Sequence, residues 1–259
     1  MAWKAVYAIY NEAKFLERSI MNIIDEMDKI IIVEGCWKSG EKITKSLRST
    51  DGTLEILDRL DKTYPNKFEI IHANGENEQR HRDNYLTKLE DGDNVLWIDG
   101  DELLLPKELR EAKVYAEQMF KMGYQMLFSH YINVFDTGAV VDSHLRGLFF
   151  KFRNDIRYLD NERAKISPGE VYLFENYGKG GLYNKSMPVI PWEIIKVFHF
   201  KYCKDLDKLV ERRLMYESVW SNVPDDKLEE TRKSLEEEYR TKFKSGLKRE
   251  NIYEGEVPC

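Results

Sequence analysis

Two carboxylates, Asp99 and Asp101, stand one glycine apart directly after the apolar run Val95-Leu96-Trp97-Ile98. A strand ending this way puts both acids on one rim, and Gly100 between them lets an ion and its phosphate ligands approach the backbone. Mg2+ and Mn2+ favour oxygen ligands of this kind, keep open positions for phosphate oxygens and neutralise a departing diphosphate. The same triplet also suits a solvated acidic turn, so its context decides. His199, in the late apolar run Val197-Phe198-His199-Phe200, is a second candidate. Neutral imidazole is a competent metal ligand, although a histidine among apolar residues also serves as a core residue.

The hydrophobic pattern names the elements that position these groups. Residues 5–9 form a short strand, followed by Tyr10-Asn11-Glu12 and by apolar residues at helical spacing from Phe15 to Met27. Residues 29–33 are a continuous apolar strand of the kind buried on both faces of a parallel sheet, ending at Glu34-Gly35. A long polar and aperiodic loop, 36–48, leads to Ser49-Thr50-Asp51-Gly52-Thr53, where a helix starts with N-cap chemistry. Residues 68–72 are a third strand, 78–89 a helix, and 94–98 a fourth strand that delivers Asp99. Alternating strands and helices predict a mostly parallel, doubly wound sheet. Ligands bind such sheets beyond the carboxyl ends of the strands, where Asn11-Glu12, Glu34 and Asp99 to Asp101 all fall. After Pro106 opens a helix, longer strands (124–135, 147–152) and glycine-rich turns (178–181) follow. Two charged helices, 206–220 and 226–244, come last.

The bulk properties exclude several classes. The 259 residues, 42% apolar and 33% charged, describe a chain that folds rather than a disordered one. A net charge of -6 supplies no basic field for a polynucleotide. The cysteines, Cys36, Cys203 and Cys259, are odd in number and scattered, which fits a reduced compartment. No stretch reads as a signal peptide or as a transmembrane segment. The expected location is cytoplasmic, with any membrane contact peripheral.

Four motifs in order, Tyr10-Asn11-Glu12, the strand ending at Glu34, Ser49 to Thr53, and Val95 through Glu102, resemble the family 2 glycosyltransferases of the GT-A fold. The resemblance is closest over residues 3–106 and looser over 146–216. It implies an α/β, Rossmann-like GT-A fold, with a mostly parallel sheet flanked by helices and with C-terminal helices. The expected organisation is one domain over 1–220, a nucleotide-sugar half (1–106) and an acceptor half (107–220), then a charged helical extension over 221–259.

The resemblance also implies the chemistry. Asp99, Asp101 and His199 would hold Mn2+ or Mg2+, while Asn11, Glu12, Glu34 and Asp51 would contact the nucleotide. Glu34 stands where the family usually has Asp, and Asp51 also reads as a helix cap. Arg82 would reach a phosphate, its guanidinium fork suiting that geometry, or else lie on a solvated helix face. An inverting transfer needs a carboxylate to take the acceptor proton; Glu162 is the first candidate, Asp160 the second and Glu170 the third. The expected partners are a UDP- or GDP-sugar donor and a glycan, lipid-linked or protein acceptor.

Two rivals keep the same sheet. A nucleotidyltransferase usually opens with a glycine-rich basic loop, the opposite of Tyr10-Asn11-Glu12. A catalytically silent sugar-binding or assembly protein fits the Glu34 departure. Against it, two buried acids facing one another are costly without a metal.

Overall fold

The computed structural model describes residues 2–135, 138–154, 157–158, 174–175, 188–220, 223–244, 253 and 255–258. Eight strands form one mixed sheet in the order β3-β2-β1-β4-β7-β6-β10-β5. They are β1 (Trp3–Ile9), β2 (Lys29–Glu34), β3 (Phe68–His72), β4 (Asn94–Trp97), β5 (Glu102–Leu103), β6 (Met126–Phe135), β7 (Gly138–Lys151) and β10 (Val197–His199). A separate two-stranded pairing joins β8 (Arg157–Tyr158) to β9 (Phe174–Glu175). The first four strands of the order pair in parallel, as the strand-helix alternation predicts. The β6-β7 hairpin then enters antiparallel beside β4.

The α/β class expected from the sequence is therefore what the chain adopts, and β2 shows why. Its alternate residues divide between two cores. Ile30 and Ile32 pack with Leu16, Ile20 and Ile23 of helix α1 (Leu16–Ile23), below which lie α3 (Thr53–Thr63) and α5 (Pro106–Lys121). Ile31 and Val33 face the opposite layer, with Tyr85 and Leu86 of α4 (Glu78–Leu86). A strand covered on both faces needs no polar alternation, and each fully buried isoleucine contributes about 2 kcal/mol. Helix α5 starts with Pro106 at its first turn, where the missing N–H costs nothing.

The polar stretch 36–48 differs from the sequence expectation of an aperiodic loop. It holds a 3-10 turn (Lys38–Gly40) and a short helix, α2 (Glu41–Thr44), which bury Cys36, Trp37 and Ile43 against α6 (Leu206–Trp220) and α7 (Leu228–Lys244). Three apolar side chains spaced through a polar segment anchor it without helical periodicity. Trp37 is 9% exposed, with its ring 5.6 Å from that of Tyr216. It is thus a loop anchor that also borders the cleft described below. Gly35, the hinge into this segment, has φ +135, and a Cβ there would lie 2.5 Å from the Ala73 carbonyl oxygen. Only glycine fits that approach.

Candidate active site

The loop after β1 and the turn before α3 are stitched together backbone to side chain. Asn11, at φ 53, donates its N–H to Ser49 Oγ at 2.9 Å, and its Oδ1 accepts from the Thr50 N–H at 2.8 Å. The Glu12 N–H reaches Thr53 Oγ1 at 2.9 Å, and the Ala13 N–H reaches Asp51 Oδ2 at 3.2 Å. Asp51 Oδ1 accepts from the Thr53 N–H and hydroxyl at the start of α3, whose N-cap residue is Gly52, and Lys208 of α6 pairs with Oδ2 at 3.0 Å. Two motifs separated by about forty residues therefore make one rim, in which Asp51 ties the loop after β1 to the start of α3 while Gly52, not Asp51, is the N-cap residue.

The second rim follows β4. Asp99 Oδ1 accepts from both terminal nitrogens of Arg82, at 3.3 and 3.2 Å, and Arg82 also binds Glu78 Oε1 at 3.0 Å. Arg82 is 4% exposed, so the solvated-face reading of this helix position does not hold. Glu102, fully buried, accepts the Asp99 N–H at 2.9 Å and the Tyr131 hydroxyl at 2.7 Å, and it pairs with Arg146. Gly100 packs under Glu12, where a Cβ would meet the Glu12 side chain at 3.0 Å. The small size of Gly100 thus makes room for Glu12.

Register explains how His199 arrives. β10 pairs antiparallel with β5, setting His199 opposite Glu102, and parallel with β6, setting it opposite Asn133. The Phe200 N–H closes the join on the Asp101 carbonyl oxygen at 2.8 Å. His199 Nδ1 meets Asn133 Oδ1 at 3.0 Å, which leaves Nε2 as the unprotonated nitrogen, 3.8 Å from Asp101 Oδ1. Burial lowers the His199 pKa to about 4, against the pull of Asp101, so the ring is neutral at pH 7.

Asp101 has two different oxygens. Its Oδ2 binds Lys204 Nζ at 2.8 Å and Arg212 at 3.1 Å, while Oδ1, buried, has no hydrogen-bond donor among the described residues. Lys204 and Arg212 also bridge to Glu12, at 2.7 and 3.2 Å. Burial opposes charge on Asp101, yet Lys204 and Arg212 outweigh it and hold the carboxyl well below the usual carboxylate range. Burial raises the Glu12 pKa to about 7, Lys204 pulls it down and Asp101 pushes it up. The expectation that these acids need a metal to offset their burial is thus corrected. Cations from the C-terminal segment already do so.

An open cleft lies against the first rim, lined by Tyr10, Asn11, Glu12, Trp37, Arg82 and Arg212 among others, whereas Asp99 and His199 line an adjoining cavity. Glu34 is not among its walls. That carboxylate is fully buried and committed to the Ser49 N–H at 2.8 Å, Arg48 at 3.1 Å and His72 Nδ1 at 3.1 Å. The structure therefore brings Asn11, Glu12, Asp51, Arg82, Asp99, Asp101 and His199 together and sets Glu34 just behind them. Asp160, Glu162 and Glu170 lie outside the described residues. The sequence reading missed Lys204, Arg212, Arg146, Glu102 and Tyr131. Lys204 and Arg212 sit in a segment whose regular charge spacing resembles any solvated helix, whereas Arg146, heading the run Arg-Gly-Leu-Phe-Phe, carried the one available signal.

His81, on the cleft wall and 2% exposed, offers a pH test. Burial, aided by the Arg82 charge, lowers its pKa to about 4 from an ordinary 6.5. The unfolded chain then binds the proton first, so this group's contribution is full above pH 6.5 and is lost as pH falls toward 4. Unfolding in urea should show about 3 kcal/mol of extra stability loss across that window. A His81→Leu variant should lack this component; an unchanged slope in the variant would locate the titration elsewhere.

No family of known sequences matches this chain, and neither does any curated protein. Solved structures are similar to it at a distance. Staphylococcus aureus TarS 1-349 in complex with UDP is 13% identical, with a TM-score of 0.46, covering 95% of this chain and 74% of that one. The mannosyltransferase PcManGT from Pyrobaculum calidifontis, in complex with GDP-Man and Mn2+, is 14% identical with a TM-score of 0.49 over 83% and 61%. A 4-diphosphocytidyl-2C-methyl-D-erythritol synthase from Anaerococcus prevotii reaches 12% and 0.41 over 75% and 89%. These likenesses are remote. None of them assigns an activity to the chain.

Proposed function

We propose that the chain is a glycosyltransferase that moves a sugar from a UDP- or GDP-sugar to a hydroxyl of a glycan, lipid-linked or protein acceptor. The observation that carries this reading is the pair Asp101 Oδ1 and His199 Nε2, two unprotonated ligand atoms 3.8 Å apart, with His199 lining a cavity that adjoins the cleft at Arg212 and Tyr216. No three His, Cys, Asp or Glu side chains among the described residues close into a protein-only metal cage. Asp101 and His199 would hold Mn2+ or Mg2+, while Asp99, its Oδ1 held by Arg82, forms no three-residue metal group with them among the described residues. Such an ion offsets the charge that develops on the departing diphosphate.

The chain's own groups do the rest. Arg82 keeps Asp99 ionised and oriented. Lys204 and Arg212, which pair with Glu12 and Asp101, are placed to turn to diphosphate oxygens. Tyr10, Asn11 and Trp37 border the space for the nucleoside. The acceptor oxygen attacks the anomeric carbon as the bond to the diphosphate breaks, which inverts that centre. Its proton passes to a carboxylate, with Glu162 the first candidate and Asp160 the second. No helix among the described residues is long and apolar enough to cross a membrane, and we place the reaction in the cytoplasm or at a membrane face.

Because Lys204 and Arg212 already hold Asp101 Oδ2, a sugar- or nucleotide-binding protein without transfer activity is the second reading. Calorimetric titration with UDP and GDP, with and without Mn2+, tests the proposal. One nucleotide should bind, and roughly ten-fold more tightly with Mn2+. If neither binds under any metal condition, the transferase reading fails.

A further inference from the structure

His199 sits on a strand with little pairing of its own. β10 spans three residues, and its antiparallel neighbour β5 spans two. Pieces this short add few backbone hydrogen bonds, and such a corner opens more readily than the rest of a sheet. Tyr253, far along the chain, ties β10 to the β6-β7 hairpin. Its N–H donates to the Ala139 carbonyl oxygen at 2.9 Å, and Ala139 pairs with Val134, the neighbour of Asn133 on β6. Asn133 is the residue that meets His199 Nδ1. The Tyr253 ring meets that of Phe198, next to His199, edge-on at 5.8 Å, and that of Trp192 at 6.2 Å. Val257 packs against the same apolar cluster, which includes Phe15, Ile132, Val134 and Phe200. Gly255 lies over the Tyr253 ring, where a Cβ would clash with the hydroxyl oxygen. The segment therefore docks through an aromatic anchor, while residues 255 and 256 face solvent.

We propose that Tyr253 and residues 255–258 form a strap that positions His199. Docked, the strap holds β10 against the β6-β7 hairpin and keeps His199 Nε2 facing Asp101 Oδ1. Undocked, it frees β10 and separates the two ligand atoms. This rests on the reading of His199 as a metal ligand. The strap acts through Phe198 and Ala139, so Tyr253 is a positioning residue. Coupling of this kind is reciprocal: an ion held at Asp101 and His199 favours the docked strap by the same factor by which docking favours the ion. Cys203 supplies an internal reporter. Its thiol is part-buried in the same cluster as Tyr253 and Val257, 3.4 Å from the Val134 carbonyl oxygen, whereas Cys36 is fully buried in another core.

The test labels Cys203 with a chromogenic disulfide reagent in the full chain carrying Cys259→Ser, alongside calorimetric titration of Mn2+ in the presence of UDP or GDP. Tyr253→Ala should speed labelling of Cys203 and weaken Mn2+ binding, each by about ten-fold, the factor that two edge-on aromatic contacts supply. Gly255→Ala, which displaces the ring from an exposed position, should move both in the same direction. Tyr253→Phe keeps the ring and should move neither. In the parent chain, Mn2+ with nucleotide should slow the labelling of Cys203. Nucleotide binding without Mn2+ should stay within roughly two-fold in every variant. The proposal is overturned if Tyr253→Ala leaves labelling unchanged, or if labelling rises while Mn2+ affinity holds. It is also overturned if metal-free nucleotide binding falls as far as Mn2+ binding, since the variant then loosens the whole site. If the parent chain binds nucleotide but no Mn2+, the metal-ligand reading fails and the positioning role with it, whatever the labelling rates.

Discussion

Asp101→Asn is expected to remove the Mn2+-dependent part of nucleoside-diphosphate binding and to lower transfer by two to three orders of magnitude, about the cost of deleting one preorganised electrostatic contact. The substitution keeps the shape of a fully buried side chain and deletes its charge. It also leaves Lys204 and Arg212 answered by Glu12 alone among the acids they bridge. Metal-free nucleotide binding should therefore change far less than binding with Mn2+, or strengthen, because both cations are released to phosphate. The decisive readout is the ratio of affinities with and without Mn2+. A ratio identical to that of the native chain would mean that Asp101 is a structural partner of Lys204 and Arg212 and nothing more.

Arg146→Met should cost about 3–5 kcal/mol of stability, the loss expected when one partner of a buried ion pair is removed and the other stays charged. Arg146 has only 8% of its side chain exposed, and its partner Glu102 is fully buried. Asp99 lies 3.6 Å from the same guanidinium. For a chain of this size the change corresponds to a drop of roughly 10 °C in Tm. Adding Glu102→Gln should recover part of it, since the stranded charge is then gone, although the glutamine still has to satisfy Tyr131 and the Asp99 N–H. A loss below about 1 kcal/mol in the single variant would show that water or a neighbouring cation compensates Glu102.

The parts of this fold written in local pattern were legible. Lys29 to Val33 is apolar at every position after the first, and only a strand covered on both sides tolerates that composition. The carboxyl-end rule alone places Asn11, Glu12 and Asp99 at the same end of the sheet. Less legible was everything decided by pairing across long separations. The β6-β7 hairpin's antiparallel entry beside β4 has no signature in either strand alone. Glu34 looked like a ligand because it ends a strand, yet its fate was set by Arg48 and Ser49, fourteen and fifteen residues on in the segment that reads as featureless. Lys204 and Arg212 read as surface charge because helical charge spacing is the same whether water or a carboxylate receives the side chain.

The separation between those cations and their acids bears on how the molecule is made. Lys204 meets Glu12 across 192 residues of chain, and Arg212 meets it across 200. During synthesis the first four parallel strands can emerge and collapse with Glu12, Glu78, Asp99, Asp101 and Glu102 crowded on one edge while Lys204 and Arg212 have yet to be translated. Arg82 and Arg146 offer partial relief, but the nascent edge stays short of positive charge until α6 leaves the ribosome. Long-range closure of this kind slows folding. It also makes the late helix a checkpoint, since a chain stalled before residue 204 carries a nearly complete sheet whose binding edge repels itself.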